Sequence, residues 1–198
     1  MKISIFTPTH KPTYLDRLLR SLLEQTHTNW EWVIVPNNEA VVPSFQDDRI
    51  KIFPCNDSEN IGFLKRYAAG KCTGDVLMEV DHDDELFPNA LEECAKAFED
   101  SSVDFAYSNC CDVRENYTPR CFGTEWGWMN RHVQYKGHEL VETVSFPPDP
   151  ASISKIWYAP NHFRAWRTSF YNSINGHDST LDILDDQDIM CRTYIHGN

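Results

Sequence analysis

The chain has 198 residues, 41% of them hydrophobic and 24% charged, with a formal net charge of -12. That length and balance suit a globular domain with a real core and exclude a disordered chain. The acidic excess argues against a nucleic-acid groove and against a polybasic membrane-surface patch, and no apolar run approaches the length of a membrane span. An acidic protein that handles an anionic phosphate substrate needs a cation to mediate. The seven cysteines include no Cys-x-x-Cys pair, and vicinal Cys110-Cys111 suits neither zinc nor a disulfide. Reduced thiols and a start too short for a signal peptide lead to the expectation of a cytoplasmic protein.

In chain order, Lys2 to Thr7 alternates and is β-branched, and reads as a strand. Thr13 is expected to cap a helix to about Gln25, with Leu15, Leu18, Leu19, Leu22 and Leu23 at helical spacing. Trp32 to Val35 and Arg49 to Phe53 read as the second and third strands. Asn60-Ile61-Gly62 turns into a helix ending near Cys72, and Asp75 to Val80 is an apolar fourth strand. A helix is predicted from Pro88 to Glu99, with proline in its first turn, followed by a strand from Val103 to Tyr107. This alternation predicts an α/β fold, a doubly wound, mainly parallel, Rossmann-like sheet with helices on both faces.

Beyond Ser108 the pattern degrades. Arg120 to Tyr135 reads as a hairpin or a loop, and Pro147, Pro148 and Pro150 as a rigid connector. Phe163 to Trp166 reads as a strand, Thr168 to Ser173 as a helical turn and Asp185 to Tyr194 as a helix. The chain is taken as one domain over 1–198, with a nucleotide-binding half over 1–108 and an acceptor and base half over 109–198. The early stop after the last helix suggests a fragment of a longer protein or a compact version of the fold.

Three segments carry chemistry. Val80-Asp81-His82-Asp83-Asp84 packs acids just past an apolar strand, where their mutual repulsion favours a bound cation. In a parallel sheet this is the carboxyl edge, where ligands bind, and hard carboxylate oxygens suit Mn²⁺ or Mg²⁺. A solvated acidic turn would give the same residues. Asp185-Asp186-Gln187-Asp188, followed by Arg192, opens a helix, and taken alone it is explained by the helix dipole. Thr7-Pro8-Thr9-His10 ends the first strand, either as a cradle for a nucleobase or as an ordinary turn.

These segments together resemble family-2 glycosyltransferases with the GT-A fold. The opening Ile3 to His10, Leu18 to Thr26 and Trp30 to Val35 is similar to that family's start. Asn60-Ile61-Gly62 through Gly74-Asp75 to Asp81-His82-Asp83-Asp84 resembles its approach to an Asp-x-Asp motif. Phe163 to Arg167, Gly176-His177-Asp178 and Asp185 to Arg192 resemble the segment holding its catalytic base.

The resemblance implies residue roles. Asp81 would contact ribose or metal, and Asp83 would hold the Mn²⁺ or Mg²⁺ that bridges the diphosphate. Thr7, Pro8, Thr9 and His10 would line the nucleobase pocket, with Asn37 and Asn38 standing where the family often has an Asp pair. Lys65, Arg66 and His82 would lie near the nucleotide. Asp186 would be the general base, with Asp185 and Asp188 as candidates if the register shifts. The implied donor is a nucleotide-diphosphate sugar, uridine before deoxythymidine, of the UDP-glucose or UDP/dTDP-rhamnose type. The implied acceptor is a hydroxyl on a glycan or other molecule.

The implied reaction is an inverting displacement in which the metal neutralises the leaving diphosphate and Asp186 takes the acceptor proton. Trp126, Trp128 and Trp157 are candidates to stack on sugar rings, or else fill the core. His162 and His177 flank the base motif and are candidates for phosphate or metal contact. The alternatives are a nucleotidyltransferase, a phosphatase with an Asp-x-Asp nucleophile, and a non-catalytic nucleotide-sugar-binding module. The first would want a glycine-rich loop after the first strand, yet the first glycine is Gly62. The second would carry its motif after the first strand rather than the fourth.

Overall fold

The computed structural model describes residues 1–57, 60–121, 127–155 and 161–197. The chain folds as two compact units, Met1–Ala106 with Ala165–Asn198, and Tyr107–Arg164. The division differs from the expected halves at 108, because the last part of the chain returns to the first unit.

The main sheet takes β1 (Ile3–Thr9), β2 (Trp30–Pro36), β3 (Ile50–Ile52), β4 (Val76–Glu79), β5 (Phe105–Ser108) and β10 (Asn161–Arg167) in the order β3-β2-β1-β4-β10-β5. The pairs β1–β2, β1–β4 and β2–β3 are parallel. The Arg167 N–H donates to Asp104 and the Thr168 N–H to Asp75, so the end of β10 meets the starts of β5 and β4. β10 therefore runs against its neighbours β4 and β5, and the sheet is mixed but mostly parallel.

β1, β2 and β4 are buried along their whole length, as expected for strands covered on both faces. Alternation sends Phe6, Val33, Val35 and Leu77 into one core with Leu64, Ala68 and Ala69 of α2 (Ile61–Ala69). Trp166, Phe170 and Tyr171 of β10 and α5 (Thr168–Ser173) join that core, as do Ile189 and Met190 of α6 (Asp185–His196). Leu15, Leu18 and Leu22 of α1 (Leu15–Leu23) and Leu91 and Cys94 of α3 (Ala90–Ala97) are also buried.

Two helix starts differ from the sequence reading. Thr13 lies inside a 3-10 turn, Pro12–Tyr14, and α1 begins at Leu15 without a side-chain cap. α3 begins at Ala90 rather than Pro88. The Gln25 amide donates to the Phe87 carbonyl, and the Thr26 N–H donates to that of Pro88. Those carbonyls tie the α1 exit to the α3 entry.

The second unit holds a seven-residue hairpin pair, β8 (Met129–Tyr135) and β9 (His138–Val144), and the short pair β6 (Asp112–Val113) and β7 (Pro119–Arg120). Lys136 and Gly137 form the β8–β9 turn, both at positive φ, as a two-residue hairpin turn of matching twist requires. The proline-rich stretch expected as a connector ends in a short helix, α4 (Pro150–Lys155). Within this unit Trp128 is buried, its ring 4.8 Å from that of Phe146. No helix among the described residues is long and apolar enough to cross a membrane.

Candidate active site

The first unit gathers charge where β4 ends. Glu79 is the last residue of β4 and shares the Phe6–Leu77 face, so it points toward α2 and α6. α2 supplies Lys65 from its buried stripe of Gly62, Leu64, Lys65, Ala68 and Ala69. Its start is capped by Asn60, whose side chain accepts from the Phe63 N–H at 3.0 Å. α6 brings Asp185 and Asp186 in its first turn.

Gly62 makes this assembly possible. The Gly62 N–H donates to the Leu181 carbonyl at 3.1 Å. A Cβ there would lie 2.1 Å from the Asp178 carbonyl oxygen. Only glycine lets the loop that leads into α6 rest on the start of α2.

The Lys65 ammonium sits 2.8 Å from Glu79 Oε1, 2.7 Å from Asp185 Oδ2 and 2.6 Å from Asp186 Oδ1. Lys65 is 5% exposed. Burial alone would lower its pKa, but Glu79, Asp186, Asp81 and Asp185 outweigh burial and raise it, so the amine stays charged. Burial is the chief reason the Asp185 carboxyl titrates above its ordinary value, with Asp186 adding to the rise and Lys65 opposing it.

His177 closes the cluster from the core side. It is fully buried, and the Tyr171 hydroxyl accepts from the His177 N–H at 3.2 Å while lying 2.8 Å from Nδ1. Burial raises the Tyr171 pKa, so the phenol is neutral and shares a hydrogen bond with Nδ1. The other ring nitrogen, Nε2, lies 3.6 Å from Glu79 Oε2. His177 is thus a core group packed beside Glu79, beyond hydrogen-bond distance of it.

The three candidate bases have different surroundings. Asp185 is buried on Lys65, with a side chain 10% exposed. Asp188 pairs with the Arg192 guanidinium one turn on, and that guanidinium also donates to the Ile174 carbonyl. Asp186 touches Lys65 through one oxygen and is 25% exposed. It alone of the three is both held by the buried cation and open to solvent.

The acidic loop follows directly. The Asp84 N–H donates to the Asp81 carbonyl. Asp81 is half-buried and Asp83 exposed. Asp81 acts on Lys65, which puts the two acidic motifs in one electrostatic neighbourhood. The His82 ring stacks on Tyr14 at 6.4 Å and meets His10 edge-on at 5.4 Å.

Glu79, His177 and Asp186 offer ligand atoms within 4.8 Å of one another. The Lys65 ammonium already contacts two of them, so this set is filled by a protein cation and does not fit a metal. Asp81 and Asp83 offer the hard oxygen donors that suit a metal cation. They follow directly on β4, and Asp83 is exposed.

The expected nucleotide residues are spread over this edge. The Thr7 hydroxyl donates to the Val80 carbonyl and accepts from Trp32 Nε1, so it is committed to the fold. Pro8, Thr9 and Asn37 are buried at the strand ends, and the Asn37 N–H donates to the Thr9 carbonyl. His10 and Asn38 are exposed, Asn38 at positive φ. Lys65, expected near the nucleotide, is buried among carboxylates. Arg66 turns instead to Asn175 Oδ1 at 2.7 Å. Trp126, Trp157 and the side chain of His162 lie outside the described residues. Glu79 and Tyr171 are additions that the sequence motifs do not mark. A carboxylate ending an otherwise apolar buried strand is the available signal for Glu79.

Comparison with known proteins bears on the family and the fold. The family model described as glycosyl transferase family 2 matches residues 4–173. An uncharacterized glycosyltransferase of Nostoc sp., alr2836, is 34% identical over 113 residues, covering 52% of this chain and 34% of that protein. The crystal structure of S. aureus TarS 1-349 in complex with UDP-GlcNAc aligns at TM-score 0.69 with 18% identity, covering 100% of this chain and 54% of that one. The mannosyltransferase PcManGT from Pyrobaculum calidifontis, in complex with GDP-Man and Mn²⁺, aligns at TM-score 0.59 with 13% identity, covering 99% of this chain and 53% of that one. The chain thus spans about a third to a half of these proteins, and the two structures share its GT-A architecture. By the extent of the family match, from the first strand through α5, the chain belongs to glycosyl transferase family 2.

Proposed function

We propose that this chain transfers a sugar from a nucleoside-diphosphate donor to an acceptor hydroxyl, with inversion, in a divalent-metal-dependent reaction. The observation that carries the reading is Asp186, a partly exposed carboxylate held at the end of β4 by a buried lysine that also feels Asp81. Asp81 and Asp83 would hold Mn²⁺ or Mg²⁺, which when bound neutralises charge developing on the leaving diphosphate. Asp186 accepts the proton of the acceptor hydroxyl as its oxygen attacks the anomeric carbon from the face opposite the diphosphate. The ionised Asp186 is maintained by Lys65 and by its place in the first turn of α6. His10, Thr9 and the Asn37–Asn38 turn would hold the base. Uridine is the preferred nucleotide, supported by the resemblance at β1 and by the UDP-GlcNAc complex of TarS, the better structural match of the two. Seven unpaired cysteines support a reducing compartment, the cytoplasm.

The test is a panel of nucleotide sugars assayed for donor cleavage with Mn²⁺, with Mg²⁺ and with chelator, alongside Asp83→Ala. UDP-sugar cleavage that depends on metal and on Asp83 is expected. Preference for a GDP-sugar would overturn the uridine assignment. Pyrophosphate release from a nucleoside triphosphate would point to a nucleotidyltransferase, and binding without cleavage to a binding module.

A further inference from the structure

In the reaction as written above Lys65 serves only to favour the ionised form of Asp186. A lysine close to a nucleotide diphosphate would ordinarily be assigned to the phosphates. Here it sits in the buried stripe of α2, is 5% exposed, donates a hydrogen bond to Asp186 Oδ1 and lies in ion-pair contact with Glu79 and Asp185. An ammonium has three N–H donors, and three oxygens lie within 2.8 Å of this one. Burial and these three carboxylates turn the ammonium inward, away from a phosphate.

We propose that Lys65 is a positioning residue for the general base: anchored by Glu79 and Asp185, its ammonium fixes the Asp186 carboxylate in the attitude needed to take the acceptor proton, and it does not bind the donor. The arrangement is stacked from the core outward. The Tyr171 hydroxyl orients His177, whose Nε2 faces Glu79; Glu79 holds Lys65; Lys65 holds one oxygen of Asp186. The other Asp186 oxygen is then the one presented to the acceptor. Each partner is on a different element, namely α5, the loop before α6, β4, α2 and α6. The base is therefore fixed to the sheet itself rather than to its own helix. Such tethering matters because small misplacements of reacting groups are costly in rate.

This inference rests on Asp186 being the base, so the experiment separates the two. Lys65→Met, Asp186→Asn and the double variant are each measured for kcat, donor KM and donor affinity by calorimetry. Lys65→Met is expected to lower kcat by on the order of 10²-fold with donor affinity within about two-fold of wild type. Lys65→Arg should recover part of the loss. In the Asp186→Asn background Lys65→Met should cost nothing more, because residues that act as a unit are non-additive. A loss of donor affinity with kcat unchanged would return Lys65 to the phosphates and overturn the proposal. Losses that multiply in the double variant would also overturn it. Full turnover in Asp186→Asn would instead refute the base assignment. Should Lys65→Met fail to fold, the same cycle run with Lys65→Arg carries the decision: a kcat loss that vanishes in the Asp186→Asn background sustains the proposal, and one that persists there removes it.

Discussion

Two buried carboxylates in the first unit meet their charges in opposite ways. Glu31, in β2, accepts from Lys2 Nζ at 2.8 Å, Lys51 Nζ at 2.7 Å, Ser4 Oγ at 2.6 Å and the Thr73 N–H at 2.6 Å. With the Thr73 hydroxyl, which also donates to it, two cations and three further donors surround one anion. At the end of β4 the ratio is reversed, with one cation among Glu79, Asp185 and Asp186. The first arrangement is saturated and can only hold β1, β2, β3 and the turn into β4 together. The second carries surplus negative charge, and one of its members reaches solvent. Burying uncompensated charge costs stability, so a fold retains it where chemistry uses it.

The sharpest way to break the comparison is to dismantle the second cluster from its scaffold. Gly62→Ala would place a methyl group 2.1 Å from the Asp178 carbonyl oxygen, backbone that has little room to yield. Overpacking of this kind costs about 3 kcal/mol. Chemical denaturation should show that loss, and turnover should fall with it as α6 is pushed off Lys65.

Glu31→Gln tests the saturated cluster. Burial alone would raise the Glu31 pKa, but Lys2, Lys51, Ser4 and Thr73 hold it far below its ordinary value of 4.5. A depressed carboxylate contributes stability that is fully present above the unfolded-state value and is lost as pH falls toward the folded one. Unfolding free energy should therefore decline below about pH 4.5. Glu31→Gln should flatten that decline and cost about 2 kcal/mol at neutral pH, the lysines being partly exposed and able to turn to water. Turnover of the folded variant should be unchanged. Equal acid sensitivity in the variant would show that the pH dependence comes from elsewhere. The smallest effect is expected at Asp188→Asn, which loosens a partly exposed pair with Arg192 on one helix face. About 0.5 kcal/mol and no change in kcat are predicted by a melt and a transfer assay.

Much of this is legible in the sequence for physical reasons. The strands β1, β2 and β4 are apolar runs too short for helices, and the Asp81–Asp84 cluster follows directly from one of them. Lys65 is legible as a residue but not in its role, because a motif position gives no burial. Its spacing with Gly62, Ala68 and Ala69 places it on the inner face of α2, and that is the clue. Glu79 disappears into an apolar strand, since a single carboxylate barely changes such a run. The β8–β9 hairpin is only half visible because Lys136-Gly137 is a weaker turn signal than Asn-Gly. The reversed direction of β10 has no local signature at all. It is set by contacts with β4 and β5, some 60 to 90 residues upstream.

The central claim is that the under-neutralised cluster is the catalytic one and that Asp186 is its working member. The most direct test is kcat for Asp186→Asn, measured with its donor affinity and beside Asp185→Asn and Asp188→Asn. A fall in kcat of about 10²–10⁴-fold with donor affinity nearly intact is predicted for Asp186→Asn, with Asp188→Asn close to wild type. Wild-type turnover in Asp186→Asn would contradict the account.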